Sequence, residues 1–277
     1  MRETPSSAQR RRFRLLFVSF LIRLNRLRER IFKTSSSAIG SLILILLNPE
    51  ELERQVKQYY TTAGGLKDES RSELLQEGFS QEESHFVTTY LKGKRTCLVF
   101  GSGGGRESLA LARLEFRVTG IDTSLALVEK AKERAGALSI PCDFQVRDML
   151  EGPRASEKYD VLFLSQNMYS TIPTRKRRIL FLRNARAFLN DAGFFYLEFL
   201  AENGPRKNRW KFRLKKQLAL LCYGNTDLEE GDALWIPGHY FHLFTESELR
   251  SEIEASGFNL VEADFDRAYA VLARNTK

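Results

Sequence analysis

Apolar positions change their period several times along this chain, and each change marks an element. Phe13, Phe17, Phe20, Leu24, Leu27 and Ile31 recur at alternating spacings of four and three, which puts them on one helical face with arginines over much of the remainder. The run AIGSLILILL (38–47) follows a serine stretch and stops at Asn48-Pro49. PEELERQVKQYY (49–60) predicts a helix with Pro49 in the first turn, where its missing N–H is tolerated. TTAGGLKDES is a loop, and SQEESHFVTTYLKG (80–93) opens as a capped helix.

From residue 96 onward, short β-rich runs alternate with amphipathic ones. TCLVFG, FRVTGID, PCDFQVRD, YDVLFLS and FFYLEFL read as five strands. RESLALARLE, SLALVEKAKERAGA and TRKRRILFLRNARAFLN read as helices, the last ended by Asp191-Ala192-Gly193. This alternation implies a parallel sheet with helices on both faces. The end differs: TESELRSEIEASG is a helix, and FNLVEADF and AYAVLARN are joined by a tight turn, which makes them an antiparallel pair. The fold expected is α/β and Rossmann-like, with a seven-stranded, mostly parallel sheet whose last strand is antiparallel, plus an N-terminal helical arm. Residues 1–48 form the arm and 49–277 the domain, with a polar, aromatic and irregular insertion over 201–243 near the site.

Charge sharpens this division. Residues 1–33 hold ten Arg/Lys and two acids, a net of +8, which equals the net charge of the whole chain. The remainder therefore balances to zero, which weakens a nucleic-acid reading for the domain itself. Neither N-terminal apolar run reaches the ~18 residues of a membrane span, and the long basic lead does not suit a secretory signal. Three readings of the arm stay open: an interfacial helix over residues 10–47 on an anionic membrane, an organelle transit peptide, or a lid packed on its own domain. Three scattered cysteines and three histidines without ligand spacing predict neither a disulfide framework nor a metal site, and suggest a reducing, cytoplasmic setting.

The candidate chemistry centres on LVFGSGGGRES (98–108). A Walker loop needs Gly-Lys before Ser or Thr, but Gly105 is followed by Arg106-Glu107. The dinucleotide pattern G-x-G-x-x-G fails in either register, ending at Arg106 or Ser108. What fits is G-x-G-x-G at Gly101, Gly103 and Gly105, between a strand and a helix whose free N–H groups favour a carboxylate. Asp122 ends the second strand, where it can accept both ribose hydroxyls. Asp148 ends the third, where it can accept from an adenine amino group with Met149 over the ring.

With these features the chain resembles the class I S-adenosylmethionine-dependent methyltransferases over roughly residues 80–275. The resemblance implies that Gly101, Ser102, Gly103 and Gly105 form the cofactor loop, that Asp122 and Thr123 serve the ribose, and that Asp148 and Met149 serve the adenine. The family often has an acid two residues before the first glycine, and Val99 stands there; Gln166 and backbone after the fourth strand are the candidates to replace that contact.

Methyl transfer needs a base only when the acceptor must lose a proton. SQNMYSTIP (165–173) follows the fourth strand without the N/D-P-P-Y/F run of base-amino methylation, and a Pro-Cys pair for cytosine is absent there. Tyr169 is expected to line the acceptor pocket. Of His239 and His242, the latter is the better candidate base. Tyr59 and Tyr60 either close over the site or pack within the domain. TRKRR (174–178) reads as a solvated first helical turn, whereas RKNRWKFRLKK (206–216) mixes aromatics and cations as a membrane-facing patch would. The function expected is methylation of a small, apolar, lipid-like acceptor by a protein peripheral on a membrane. The alternatives are an RNA or protein methyltransferase and a non-catalytic cofactor-binding scaffold.

Overall fold

The computed structural model describes residues 37–61, 78–153, 157–202, 204–206, 209–235 and 239–274. The amphipathic stretch 13–31 and most of the TTAGGLKDES loop lie outside the described residues.

Helix α1 covers 37–46, and α2 (Pro49–Thr61) and α3 (Gln81–Tyr90) follow. Then come β1 (Thr96–Phe100), α4 (Arg106–Arg113), β2 (Arg117–Asp122), α5 (Leu125–Ala137), β3 (Asp143–Val146) and β4 (Tyr159–Leu164). A 3-10 turn at Met168–Thr171 leads to α6 (Arg175–Phe188) and β5 (Leu189–Glu198). After them lie β6 (Leu200–Ala201), α7 (Arg209–Leu221), β7 (Asp232–Trp235) and β8 (His239–Phe244). The described part ends with α8 (Glu246–Ser256), β9 (Phe258–Asp264) and β10 (Tyr269–Arg274).

Seven strands form one sheet in the order β3-β2-β1-β4-β5-β10-β9. The first five are mutually parallel, and β10 runs antiparallel to both β5 and β9. The period-two pattern of the strands places alternate residues on opposite faces. Leu98 and Phe100 join Phe181, Leu182 and Phe195 beneath α6, whereas Cys97 and Val99 join Phe86, Phe163 and Tyr196 beneath α3. Chain order reverses between β1 and β4, so the crevice at the carboxyl ends of those two strands is where an open parallel sheet takes its ligand.

Helix starts follow local chemistry. Ser80 and Glu83 form a reciprocal capping box at α3, and Thr245 and Glu248 form another at α8. Ser124 caps α5 through the Leu127 N–H. β-pairing begins at Leu189 rather than after Gly193, because the stretch 190–193 bulges out of register with β4 between Tyr159 and Val161.

Two expectations need correction. TRKRR is not wholly solvated: Arg178 is 1% exposed, because its guanidinium lies among Glu252, Glu229 and the Ile172 carbonyl. The stretch 201–243 is not irregular either. It contributes α7 and most of a second sheet, in which β8 pairs with β6 on one side and β7 on the other. Its strands are two to six residues long, too short to show a clear alternation.

That second sheet receives α1. Leu44 packs with Leu52 and Val56 of α2 and with Leu228 and Tyr240 of the insertion, and the Asn225 N–H donates to the Ile45 carbonyl at 2.8 Å. Gly224 makes this crossing possible, since a Cβ there would lie 2.0 Å from the same carbonyl. At least this part of the N-terminal region is thus bound to its own domain.

Candidate cofactor site

The glycine loop is shaped by backbone that L side chains resist. Gly101, Gly103 and Gly105 have φ of +61°, +49° and +87°, the left-handed region where glycine carries no penalty. The loop is tied to β2 at two points: Ser102 N–H donates to the Ile121 carbonyl at 3.0 Å, and Gly103 N–H donates to Asp122 Oδ2 at 2.9 Å. Asp122 Oδ1 accepts from Ser124 N–H at 2.8 Å. Burial raises the Asp122 carboxyl above its ordinary value, opposed by the N–H donors of Ser124, Gly103 and Thr123.

A cavity opens beside this loop at the carboxyl ends of β1 to β4. Gly101, Gly103, Asp122, Thr123, Asp148, Met149 and Gln166 all line it, so the structure brings together seven of the nine residues expected at the cofactor. Ser102 and Gly105 do not line it. The Ser102 side chain is buried toward Gly120, and Gly105 caps α4 against Phe144 and Ala131. Their positions shape the loop rather than its surface.

The wall facing the loop comes from α2. Glu53, Val56, Lys57 and Tyr60 reach the cavity, at i, i+3, i+4 and i+7 on one helical face. Tyr60 was a sequence candidate to close over the site; Glu53, Val56 and Lys57 were not, although the periodicity of PEELERQVKQYY puts them on the same face. Lys57 Nζ lies 2.5 Å from Asp148 Oδ2, while Leu150 N–H donates to Asp148 Oδ1. The α2 helix is therefore fastened across the cavity by an ion pair to the third strand end. On the far side, Met168, Thr171, Ile172 and Pro173 form a mostly apolar wall after β4.

The two residues expected at the chemical step lie elsewhere. Tyr169 is fully buried, and its hydroxyl donates to Glu252 at 2.8 Å, beside Arg178. Burial raises that phenol well above its ordinary value, so it stays protonated. His242 is 1% exposed, with Nδ1 2.8 Å from Asp232. Glu229, Asp232 and His242 cluster there, but Arg178 already holds Glu229 and the Tyr240 hydroxyl already donates to Asp232. His239 is the histidine nearer the cavity. It stacks on Tyr59 at 4.7 Å, and its Nε2 is 3.0 Å from the hydroxyl of Tyr60, which lines the cavity.

Residues 97–193 match the family described as a methyltransferase domain. These residues carry a methyltransferase domain, and the fold of the chain is that of the class I S-adenosylmethionine-dependent methyltransferases. Its strand order and single reversed strand agree with that of the fold's solved members. One of these, the 1,6-didemethyltoxoflavin-N1-methyltransferase of Burkholderia thailandensis, superposes with a TM-score of 0.59, covering 82% of this chain and 89% of its own at 16% identity. That likeness concerns the fold. Two ubiquinone biosynthesis O-methyltransferases are similar to part of this chain. The Coxiella burnetii protein is 28% identical over 113 residues, 41% of this chain and 46% of its own. The Methylobacterium nodulans protein is 26% identical over 165 residues, 58% of this chain and 59% of its own. The aligned part thus spans about half the length of these curated relatives. Among the described residues, no helix is long and apolar enough to cross a membrane.

Proposed function

We propose that the cavity holds S-adenosylmethionine and that the chain passes its methyl group to a small, apolar hydroxylated acceptor met at an anionic membrane surface. Gly101 and Gly103 would take the amino-acid end, Asp122 and Thr123 the ribose, Asp148 and Met149 the adenine. The residues suit that group: a loop without side chains, two carboxylates at strand ends, and apolar walls between them. When bound, the cofactor supplies a methyl on a sulfonium, which is already a good leaving group. The protein's part is then to align the acceptor and exclude water.

The observation that carries the acceptor reading is the wall formed by Met168, Ile172 and Pro173, with Val56 and Tyr60 opposite. It offers apolar contact, and the charged α2 side chains beside it are already paired, Lys57 with Glu53 and Asp148 and Glu53 with Arg177. The curated relatives are named for an O-methylation in ubiquinone biosynthesis, which favours an aromatic hydroxyl carrying an apolar tail. Burial holds the His239 imidazole below its ordinary value, so at neutral pH it is uncharged and can take a proton from a hydroxyl bound beside Tyr60. Incubation with methyl-labelled cofactor and separate lipid, quinone and RNA extracts tests this reading. Label is expected in the lipid or quinone fraction, and label confined to RNA would replace the reading with the nucleic-acid alternative.

Membrane contact rests on a surface that joins α1 and α7. Ile39, Leu42 and Leu46 are exposed on α1, and Trp210, Leu214, Leu218 and Leu221 on α7. Both sets follow helical spacing, and the helices flank one small core through Leu44 and Phe212. Residues 203–226 carry seven Lys/Arg and no acid. Arg206 is taken up by Glu202 and Glu248. Apolar side chains beside the remaining cations, Lys211, Arg213 and Lys216 among them, suit an anionic headgroup layer, and the basic arm over 1–48 would add to it. The protein is expected to float with vesicles containing phosphatidylglycerol and not with pure phosphatidylcholine. Arg213→Glu with Lys216→Glu is expected to reduce vesicle binding at least about tenfold, given ~1 kcal/mol for each lost charge. Equal binding by both forms would remove α7 from the contact.

A further inference from the structure

Val99 leaves a gap in the charge pattern of the site. It is buried in the core under α3, so β1 delivers no carboxylate toward the glycine loop. Carboxylates arrive instead from three other elements: Glu83 on α3, Glu107 on α4 and Glu198 at the end of β5. Arg106 is shared by the first two, bonding Glu83 through both terminal nitrogens at 2.7 Å and Glu107 at 2.6 Å. Glu107 also accepts from the Ser165 hydroxyl.

Glu198 is held differently. Its Oε1 accepts from the Tyr196 hydroxyl at 2.7 Å and its Oε2 from the Gln166 N–H at 2.7 Å. No cation among the described residues forms an ion pair with it. With Phe79, Ser80, Glu83, Arg106, Gln166 and Asn167 it lines a second cavity, and Gln166 also lines the cavity beside the glycine loop. Gln166, two residues past the end of β4, therefore borders both spaces. Since β4 and β5 are neighbours ~4.8 Å apart, Glu198 stands at the same sheet edge as the loop, on the side away from Asp122 and Asp148.

We propose that Glu198 binds the α-ammonium group of S-adenosylmethionine, with Gln166 fixing the carboxylate's orientation, in place of the acid that Val99 lacks. This assignment rests on the cofactor reading above. The adenosine end lies toward β2 and β3, so the amino-acid end extends past Gly101 toward β4, where Gln166 and Glu198 meet it. Arg106 attracts Glu198 only at longer range, its contacts going to Glu83 and Glu107, so a primary ammonium would give this carboxylate a direct charge-assisted hydrogen bond. Burial pushes the Glu198 carboxyl up to about 7, with the Glu83 and Glu107 charges adding to the rise and the Tyr196 hydroxyl and Gln166 N–H opposing it. Only the ionised form attracts an ammonium, so affinity is to rise with pH through that value.

The test compares two ligands by calorimetric titration: S-adenosylhomocysteine, which has the ammonium, and 5′-methylthioadenosine, which lacks the amino-acid end. In Glu198→Gln the first is expected to bind about tenfold more weakly and the second to change less than about twofold. In the unaltered protein the affinity ratio of the two ligands is expected to rise several-fold from about pH 6 to about pH 8. A flat ratio overturns the assignment without need of a variant. So does Glu198→Gln binding S-adenosylhomocysteine as tightly as the parent, while both forms bind methylthioadenosine. Failure of the unaltered protein to bind either ligand overturns the cofactor reading, and this assignment with it.

Discussion

Asp122→Ala is expected to weaken S-adenosylhomocysteine binding by about tenfold or more, 1.4 kcal/mol at the least. Each Asp122 oxygen accepts a backbone N–H, from Gly103 and from Ser124, and a carboxylate oxygen has a second lone pair to offer. The residue lines the cavity, so those remaining pairs are available to two ribose hydroxyls. Hydrogen bonds to a charged group contribute about 1.5–3 kcal/mol each. Alanine also frees the Gly103 N–H that ties the loop to β2, so part of the loss would come from a loosened loop. Asp122→Asn separates the two effects: it keeps one acceptor oxygen but not the charge, and its affinity is expected between those of the parent and the alanine variant. Calorimetric titration of all three proteins reads this order directly, and equal affinities would remove Asp122 from the site.

The second large effect concerns stability. Arg178→Ala is expected to destabilise the fold by about 3–5 kcal/mol, because it leaves the buried Glu252 carboxylate without its cation. The Arg178 guanidinium joins α6 to α8 through Glu252 and to the insertion through Glu229, so the loss spans three parts of the domain. Tyr169→Phe removes only one donor from the same Glu252 and is expected to cost about 1 kcal/mol and to leave the turnover rate unchanged. Urea denaturation midpoints together with rate measurements check both. A Tyr169→Phe variant with a normal midpoint and abolished turnover would return Tyr169 to the chemistry.

These cases show what the linear pattern carries. The alternation of strands and helices, the reversed final pair and the glycine loop were legible because each depends on neighbours in sequence. Asp122 and Asp148 were legible because an acid at a strand's carboxyl end can be placed without knowing what packs around it. Glu198 ends FFYLE in the same way, an acid at the carboxyl end of β5, but the family pattern places its acids on the first three strands and gives the fifth no role. Arg178 was misread because its neighbours Arg175 and Lys176 are exposed and nothing local marks the next turn as buried. Its partners lie 51 and 74 residues away. Tyr169 and His242 were placed by proximity in sequence to the fourth strand and to the α8 start. Their buried acid partners, Glu252 and Asp232, turn both side chains inward instead.

The most direct measurement is a calorimetric titration of S-adenosylhomocysteine into the full chain at about pH 8, where a carboxylate titrating near 7 is ionised. One bound molecule per chain, competed by S-adenosylmethionine, is the result expected for a cofactor cavity between the glycine loop and α2. Absence of binding by the folded protein would contradict that account and leave the loop as a turn between β1 and α4.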